Sequence, residues 1–346
     1  MGFKRFDPQD FVVSADTVTS TVWSNNSVSL DTYFTSSTQR EGSSGPYYLN
    51  VYQTESTDNT AAVQFGIAYG SEDGGGSLLF DPAVSGKSPA RSIYGQYRTL
   101  VLEDENSKFV FGTSYTGSKF LALSIERARY KEKLFPTSFN LVLSSSNTNL
   151  ESLHLTDNSK LQTIPTYYGT QRAYQVISGS DGTSYDGGDG YDNVSGSYGL
   201  FLPDISTIIL NADALNDNTS IGINLQIVSQ SNTNGANPTK LYNHISGSAG
   251  NDDGSIFKLN SQETITSDFV FVRARNSEFN YSENPSFISG STGEVIYDYF
   301  IDNPQTYATT VGMYNDNNEL LAVAKLSKPL LKDFTKEALV RVKLDF

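Results

Sequence analysis

The chain has 346 residues, a formal net charge of −14, no cysteine and only two histidines, His154 and His244. Without cysteine there are no disulfide staples, thiol nucleophiles, cysteine-based zinc sites or iron–sulfur clusters, and two histidines leave little for general-base chemistry or a multi-histidine metal site. The acidic balance argues against nucleic acid and anionic membrane surfaces as partners, because both carry the same sign of charge.

Apolar residues make up 37% of the chain and aromatics 12%, with 21 Tyr and 20 Phe, so large rings must supply much of the buried area. Clusters of Ser, Thr, Asn, Asp and Gly separate short alternating or aromatic-rich stretches, the pattern of an all-β protein. In the opening "MGFKRFDPQDF" there is no signal-peptide core, and no later run reaches the roughly 20 apolar residues of a membrane span. A chain kept in an aqueous compartment, without membrane insertion, is therefore expected.

"FVVSA" from Phe11 is the first candidate strand, and the lone Trp23 reads either as a core residue or as an interface anchor at the edge of its unit. Strands follow at "YYLNVYQT" from Tyr47 and "AVQFGIAYG" from Ala62. Ser88 and Pro89 then form an N-cap followed by a proline at the first helical position. Ile93, Tyr94, Tyr97, Leu100 and Val101 fall on one face, so a short helix is predicted near 89–102, weakened at Gly95. "SIERARYKEKLFP" from Ser124 reads as a strand with Arg127, Arg129, Lys131 and Lys133 on one side. Such a stripe is either an edge protected by charge or a docking face for an acidic neighbouring subunit. Pro136 then closes an N-terminal unit, 1–136.

The middle unit, 137–265, carries "FNLVLSS", "LESLHLT", "AYQVIS", "STIILNA" and "IGINLQIVS". Alternation places His154 on the face of Ser152, opposite Leu153 and Leu155. The polar stretch 178–193, "SGSDGTSYDGGDGYDN", holds Asp181, Asp186, Asp189 and Asp192. These offer oxygen ligands for a structural calcium, although their spacing is not that of an EF-hand. The alternative is an exposed excursion ordered by a neighbouring subunit or a cation. A final unit, 266–346, adds "DFVFVRAR", "TTVGMY", "ELLAVAKL" and "ALVRVKLDF", with a hairpin turn at Asn315 to Asn318. The fold class expected is mainly β, in two or three β-sandwich-like units with one or two short helices.

No nucleophile elbow, phosphate loop or dinucleotide fingerprint is present. Paired carboxylates for glycoside cleavage need rigid strands, and a glycine-rich loop does not supply them. No catalytic residue, no enzyme activity and no cofactor are expected, the aspartates of 178–193 leaving a structural calcium as an option beside the favoured loop reading.

The segment "TYATTVGMYNDNNELLAVAKLSKPLLKDFTKEALVRVKLDF" resembles the closing segment of bacteriophage tail and baseplate proteins, in a "VGLYD"-like strand, a turn, a "LLAVAK"-like strand, Pro329 and a last strand from Val340. Together with "FVRARNSEFNYSENPSF" and "IYGQYRTLVLEDENSKFVFG", it makes the chain similar to virion structural proteins of contractile-tailed, T4-like cyanophages. That resemblance implies a baseplate subunit in the tail of the virion. Such a subunit is assembled in the host cytoplasm, present in several copies or as a homo-oligomer, bound to other tail proteins, and has no catalytic residues. The alternatives are a host-surface carbohydrate-binding or fibre-adaptor protein of the tail, a neck or collar protein, and an enzyme that cleaves surface polysaccharide.

Overall fold

The computed structural model describes residues 4–35, 48–84, 87–147, 150, 152–162, 164–191, 194–218, 222–233, 235–247, 256–282 and 284–345. The chain divides into a large unit, residues 18–263, and a small unit of residues 1–17 with 264–346. Two strands, Phe11–Thr21 and Asn260–Ala274, cross that division. The expected boundary at Pro136 is not a division of the fold. Lys119–Ile125, before it, pairs with Thr207–Asn211, after it, with Phe120 opposite Asn211. A proline ends a local element, but it has no bearing on which distant strand that element joins.

Among the described residues the large unit carries a thirteen-stranded sheet. Its spatial order is Ser29–Leu30, Phe257–Lys258, Asn140–Ser144, Ser152–Asp157, Gln171–Ser180, Gly199–Leu202, Thr207–Asn211, Lys119–Ile125, Val63–Ser71, Tyr48–Tyr52 and Phe34–Thr35. Thr166–Tyr168 and Thr183–Ser184 pair with Gln171–Ser180 away from this path. The pairings within this sheet are antiparallel.

Ring contacts show that the sheet curls. Phe257 and Phe65 stand on strands seven places apart in this order, which in a flat sheet at about 4.8 Å per strand would separate them by about 34 Å. Their centroids are 5.3 Å apart. The sheet therefore folds back on itself around one core, and Trp23 lies inside it, 4.8 Å from Phe257 and 6.3 Å from Phe65. With 2% of its surface exposed, Trp23 is a core residue and not an interface anchor.

Along Val63–Ser71 the side chains of Phe65, Ile67 and Tyr69 enter this core, while Gly66, Ala68 and Gly70 take the opposite face, as the two-residue period of a strand requires. The predicted helix lies on that outer face and spans Pro89–Leu102. Ser88 Oγ accepts a hydrogen bond from the Arg91 N–H, and Glu103, at φ 54°, ends the helix in the left-handed region. Tyr94 packs on Phe120 and Phe109 at 5.5 and 5.7 Å. A Cβ at Gly70 would come within 2.5 Å of the Phe120 ring, so packing alone requires glycine there. Leu100, expected on the buried face, is exposed.

In the small unit Asn260–Ala274 lies between Phe11–Thr21 and Ala338–Asp345, with Ser267 opposite Asp345 and Ala274 opposite Ala338. The predicted hairpin is Thr306–Tyr314 with Leu320–Lys332. Asn315 holds its turn by accepting at Oδ1 from the Asn317 and Glu319 N–H groups, and Asn318 takes φ 65°. Pro329 sits beside the register shift between Ala308 and Thr310, where a missing N–H costs the ladder little. The core of this unit is thin: Val270, Met313 and Val342 pack together. Lys332 is buried too, its ammonium donating to Asn276 O, Asn280 Oδ1 and Asp333 O at 3.0, 2.7 and 3.1 Å.

Candidate functional site

The aspartate-rich stretch is built onto its own strand. Gly179 pairs with Ser184 and Ser180 with Thr183, leaving Asp181 and Gly182 as a two-residue turn with φ of 49° and 77°. Positive φ at both positions is the type I′ hairpin that Asp-Gly favours, so the Asp181-Gly182 pair is itself a turn signal in the sequence. Asp181 accepts from Asn140 Nδ2 at 2.8 Å and returns its own N–H to Asn140 Oδ1 at 2.7 Å. Asp186 accepts from Ser184 Oγ and the Gly188 N–H, bonds that hold its carboxyl below the usual carboxylate range. Asp189 accepts from the Tyr191 N–H at 3.1 Å.

The Ser178 N–H reaches Gly190 O at 2.9 Å, so main-chain bonds of the same chain order this stretch. Among the described residues no three His, Asp or Glu side chains are grouped to hold a metal ion. Asp192 lies outside the described residues.

The basic run does not form the expected stripe. Arg127–Arg129 is one turn of 3-10 helix, and only Lys133–Leu134 is strand. Successive residues of such a turn rotate by about 120°, so Arg127 and Arg129 do not share a direction. The Arg127 guanidinium donates to Tyr130 O at 2.8 Å and lies 4.7 Å over the Tyr130 ring. The Lys131 N–H donates to Ser261 Oγ, and Lys133 pairs with Glu132 at 3.1 Å. Local bonds therefore engage the charges of Arg127 and Lys133.

His154 stands beside Ser152, with Oγ to Nε2 at 3.2 Å, while Leu153 and Leu155 are buried, as the alternation indicates. His244 sits on the helix Ala236–Gly247 and donates from Nδ1 to Ser144 O at 2.7 Å. Ser144 Oγ donates to the His244 main-chain carbonyl, so the two side chains do not form a nucleophile and base. Burial holds the His244 imidazole below the usual histidine range, with Lys240 adding to that effect and the Ser144 carbonyl opposing it.

The consequence for stability has a definite sign. The unfolded chain takes up the His244 proton first as pH falls below about 6.5, so this group's contribution declines from there toward its lower folded value. The urea midpoint of the wild type is expected to fall more between pH 7 and 5 than that of His244→Gln. Equal slopes would contradict it.

Two surface features stand apart. The first is the edge strand Phe11–Thr21, the end member of its sheet. Its residues Phe11, Val12 and Val13 are 49%, 47% and 69% exposed. The nearby hairpin also leaves Leu321 and Val323 exposed. The second is a cleft of about 720 Å³ in the large unit, between the helix Pro89–Leu102 and the strands Tyr48–Tyr52, Val63–Ser71 and Lys119–Ile125.

No family model, curated protein or solved structure matches the chain.

Function must therefore be argued from these surfaces. A strand at the end of a sheet offers one side of its main chain to strand addition. The cleft combines tyrosine rings with amides and hydroxyls, which suit a small polar ligand. Three consecutive apolar residues at 11–13 were the sequence signal for the first. Nothing local signalled the second, because its walls come from five separate stretches of chain.

Proposed function

We propose that the chain is a structural subunit of a contractile phage tail, of baseplate type, completed by neighbouring tail proteins or copies of itself at its small unit. One observation carries this. Among the described residues the small unit buries five apolar side chains, Val270, Phe300, Met313, Ala338 and Val342, while sixteen large apolar side chains are exposed on it. Among its described residues the large unit buries forty-five apolar side chains and exposes twelve large ones. Covering one exposed Val, Leu or Phe contributes about 1.5–3 kcal/mol, so a unit with so thin a core gains much of its stability from a partner. The closing segment that carries the most specific resemblance to phage tail proteins, 306–346, belongs to this same unit.

The test is where the chain sits in the particle. Phage particles carrying it are dissociated stepwise under mild conditions and the fractions probed with an antibody to the chain. Release together with baseplate proteins is expected. Recovery only with purified heads would overturn the assignment.

A further inference from the structure

The helix Pro89–Leu102 covers only part of the outer face of the large sheet. Near Phe120 the aromatic cluster fills the interface, and Tyr97 OH meets Ser124 Oγ at 2.7 Å. Beyond that bond helix and sheet part, and the cleft of about 720 Å³ opens over Gly66 and Ala68. At Gly66 the backbone is not left-handed, and a Cβ would meet nothing closer than Asn50 Oδ1 at 3.5 Å. Neither strain nor packing demands glycine there, in contrast to Gly70. Glycine weakens a strand interior, and what it provides at this position is depth in the cleft.

We infer that this cleft binds a neutral saccharide chain. Its volume lies within the range of small-ligand sites. Two charged side chains, Lys87 and Glu126, line it, and their charges cancel. The helix N-terminus at one end does not serve as an anion site, because its first N–H groups are already used: Ala90 donates to Ser77 Oγ, Arg91 to Ser88 Oγ and Ser92 to Ser88 O. Pro89 has no N–H to offer. With phosphate and carboxylate ligands disfavoured, the remaining chemistry is that of rings and hydroxyl partners. Tyr48, half exposed, offers an apolar ring to the C–H face of a sugar, while Tyr97 lines the inner wall and Ser92 and Gln96 line the helix side as hydrogen-bonding groups. Tyr48 is half exposed at the rim, placed to guide a chain longer than one residue. This assignment is independent of where the protein sits in a particle.

The test uses the full chain and three neutral probes, maltotetraose, cellotetraose and chitotetraose, titrated by calorimetry, with a heparin tetrasaccharide as the anionic comparison. Binding of at least one neutral probe is expected, weakened about tenfold or more by Tyr48→Ala with Gln96→Ala and lost in Gly66→Leu, whose side chain fills the floor. The Tyr48 and Gln96 changes lie at the surface and leave folding intact, and thermal unfolding checks that Gly66→Leu is still folded. No heat from any neutral probe, tighter binding of the heparin fragment, or neutral-probe binding unchanged in folded variants would each overturn the inference.

Discussion

Phe257→Ala is expected to destabilise the large unit by about 3–5 kcal/mol, the range for removing a fully buried ring. Phe257 is completely buried and touches three other rings: Trp23 at 4.8 Å, Phe65 at 5.3 Å and Phe139 at 6.0 Å. Its strand, Phe257–Lys258, stands near one end of the sheet order and the strand of Phe65 near the other. The ring therefore joins surfaces that only the curl brings together. Deleting it removes transfer energy and leaves a cavity whose walls belong to distant strands, which limits collapse.

Trp23 is the only tryptophan, so its emission reports this core directly. Urea denaturation followed by that emission should show a large fall in midpoint, and the folded variant should emit further to the red as water reaches the indole. Phe257→Leu, which keeps most of the volume, should cost less than the alanine variant. A loss under about 1 kcal/mol for alanine would mean that the curl is not pinned at this point.

If the chain is a tail subunit as proposed, the double substitution Val12→Lys, Val13→Lys should abolish its incorporation into particles while leaving the large unit's unfolding free energy within about 0.5 kcal/mol of the wild type. Both side chains are exposed on an edge strand, so the change removes nothing from either core. If a neighbouring chain covers the edge, each lost valine forfeits about 1.5–2 kcal/mol of burial. Together they weaken association by about a hundredfold or more, before any cost of placing lysine at the contact. A plasmid-supplied copy of each form, competing for entry into particles that lack the native protein, gives the readout. Wild-type incorporation of the lysine variant would remove the edge strand from the assembly surface. A large-unit midpoint that falls along with incorporation would show instead that the strand serves folding.

The contrast between the two units gives these experiments different meanings. Among the described residues the large unit has an extensive buried aromatic and aliphatic core. The small unit exposes more large apolar side chains than it buries, an arrangement that makes sense when a partner completes it. The same contrast separates the proposals, since the saccharide cleft lies wholly on the large unit and can be tested without assembly.

Local chemistry was enough for several parts of this protein. Ser88 and Pro89 announced a helix start because a hydroxyl can cap the Arg91 N–H and proline has no N–H to leave unpaired. The asparagines at 315–318 announced a hairpin because a short polar side chain can hold the turn and tolerate positive φ. Alternation sorted Leu153 and Leu155 inward and His154 away from them, because strand side chains have a period of two.

Other features depended on which distant strands meet. Trp23 became core only when strands seven places apart closed around it. The basic run ceased to be a stripe once a 3-10 turn and local bonds to Tyr130 and Glu132 divided it. The hydrogen bonds of Asp181, Asp186 and Asp189, to Asn140 of a neighbouring strand and to backbone N–H groups, depend on which strands and turns come together. The cleft above Gly66 follows from the line along which a helix stops covering a sheet, and that line is set by long-range packing, to which no single stretch of sequence has access.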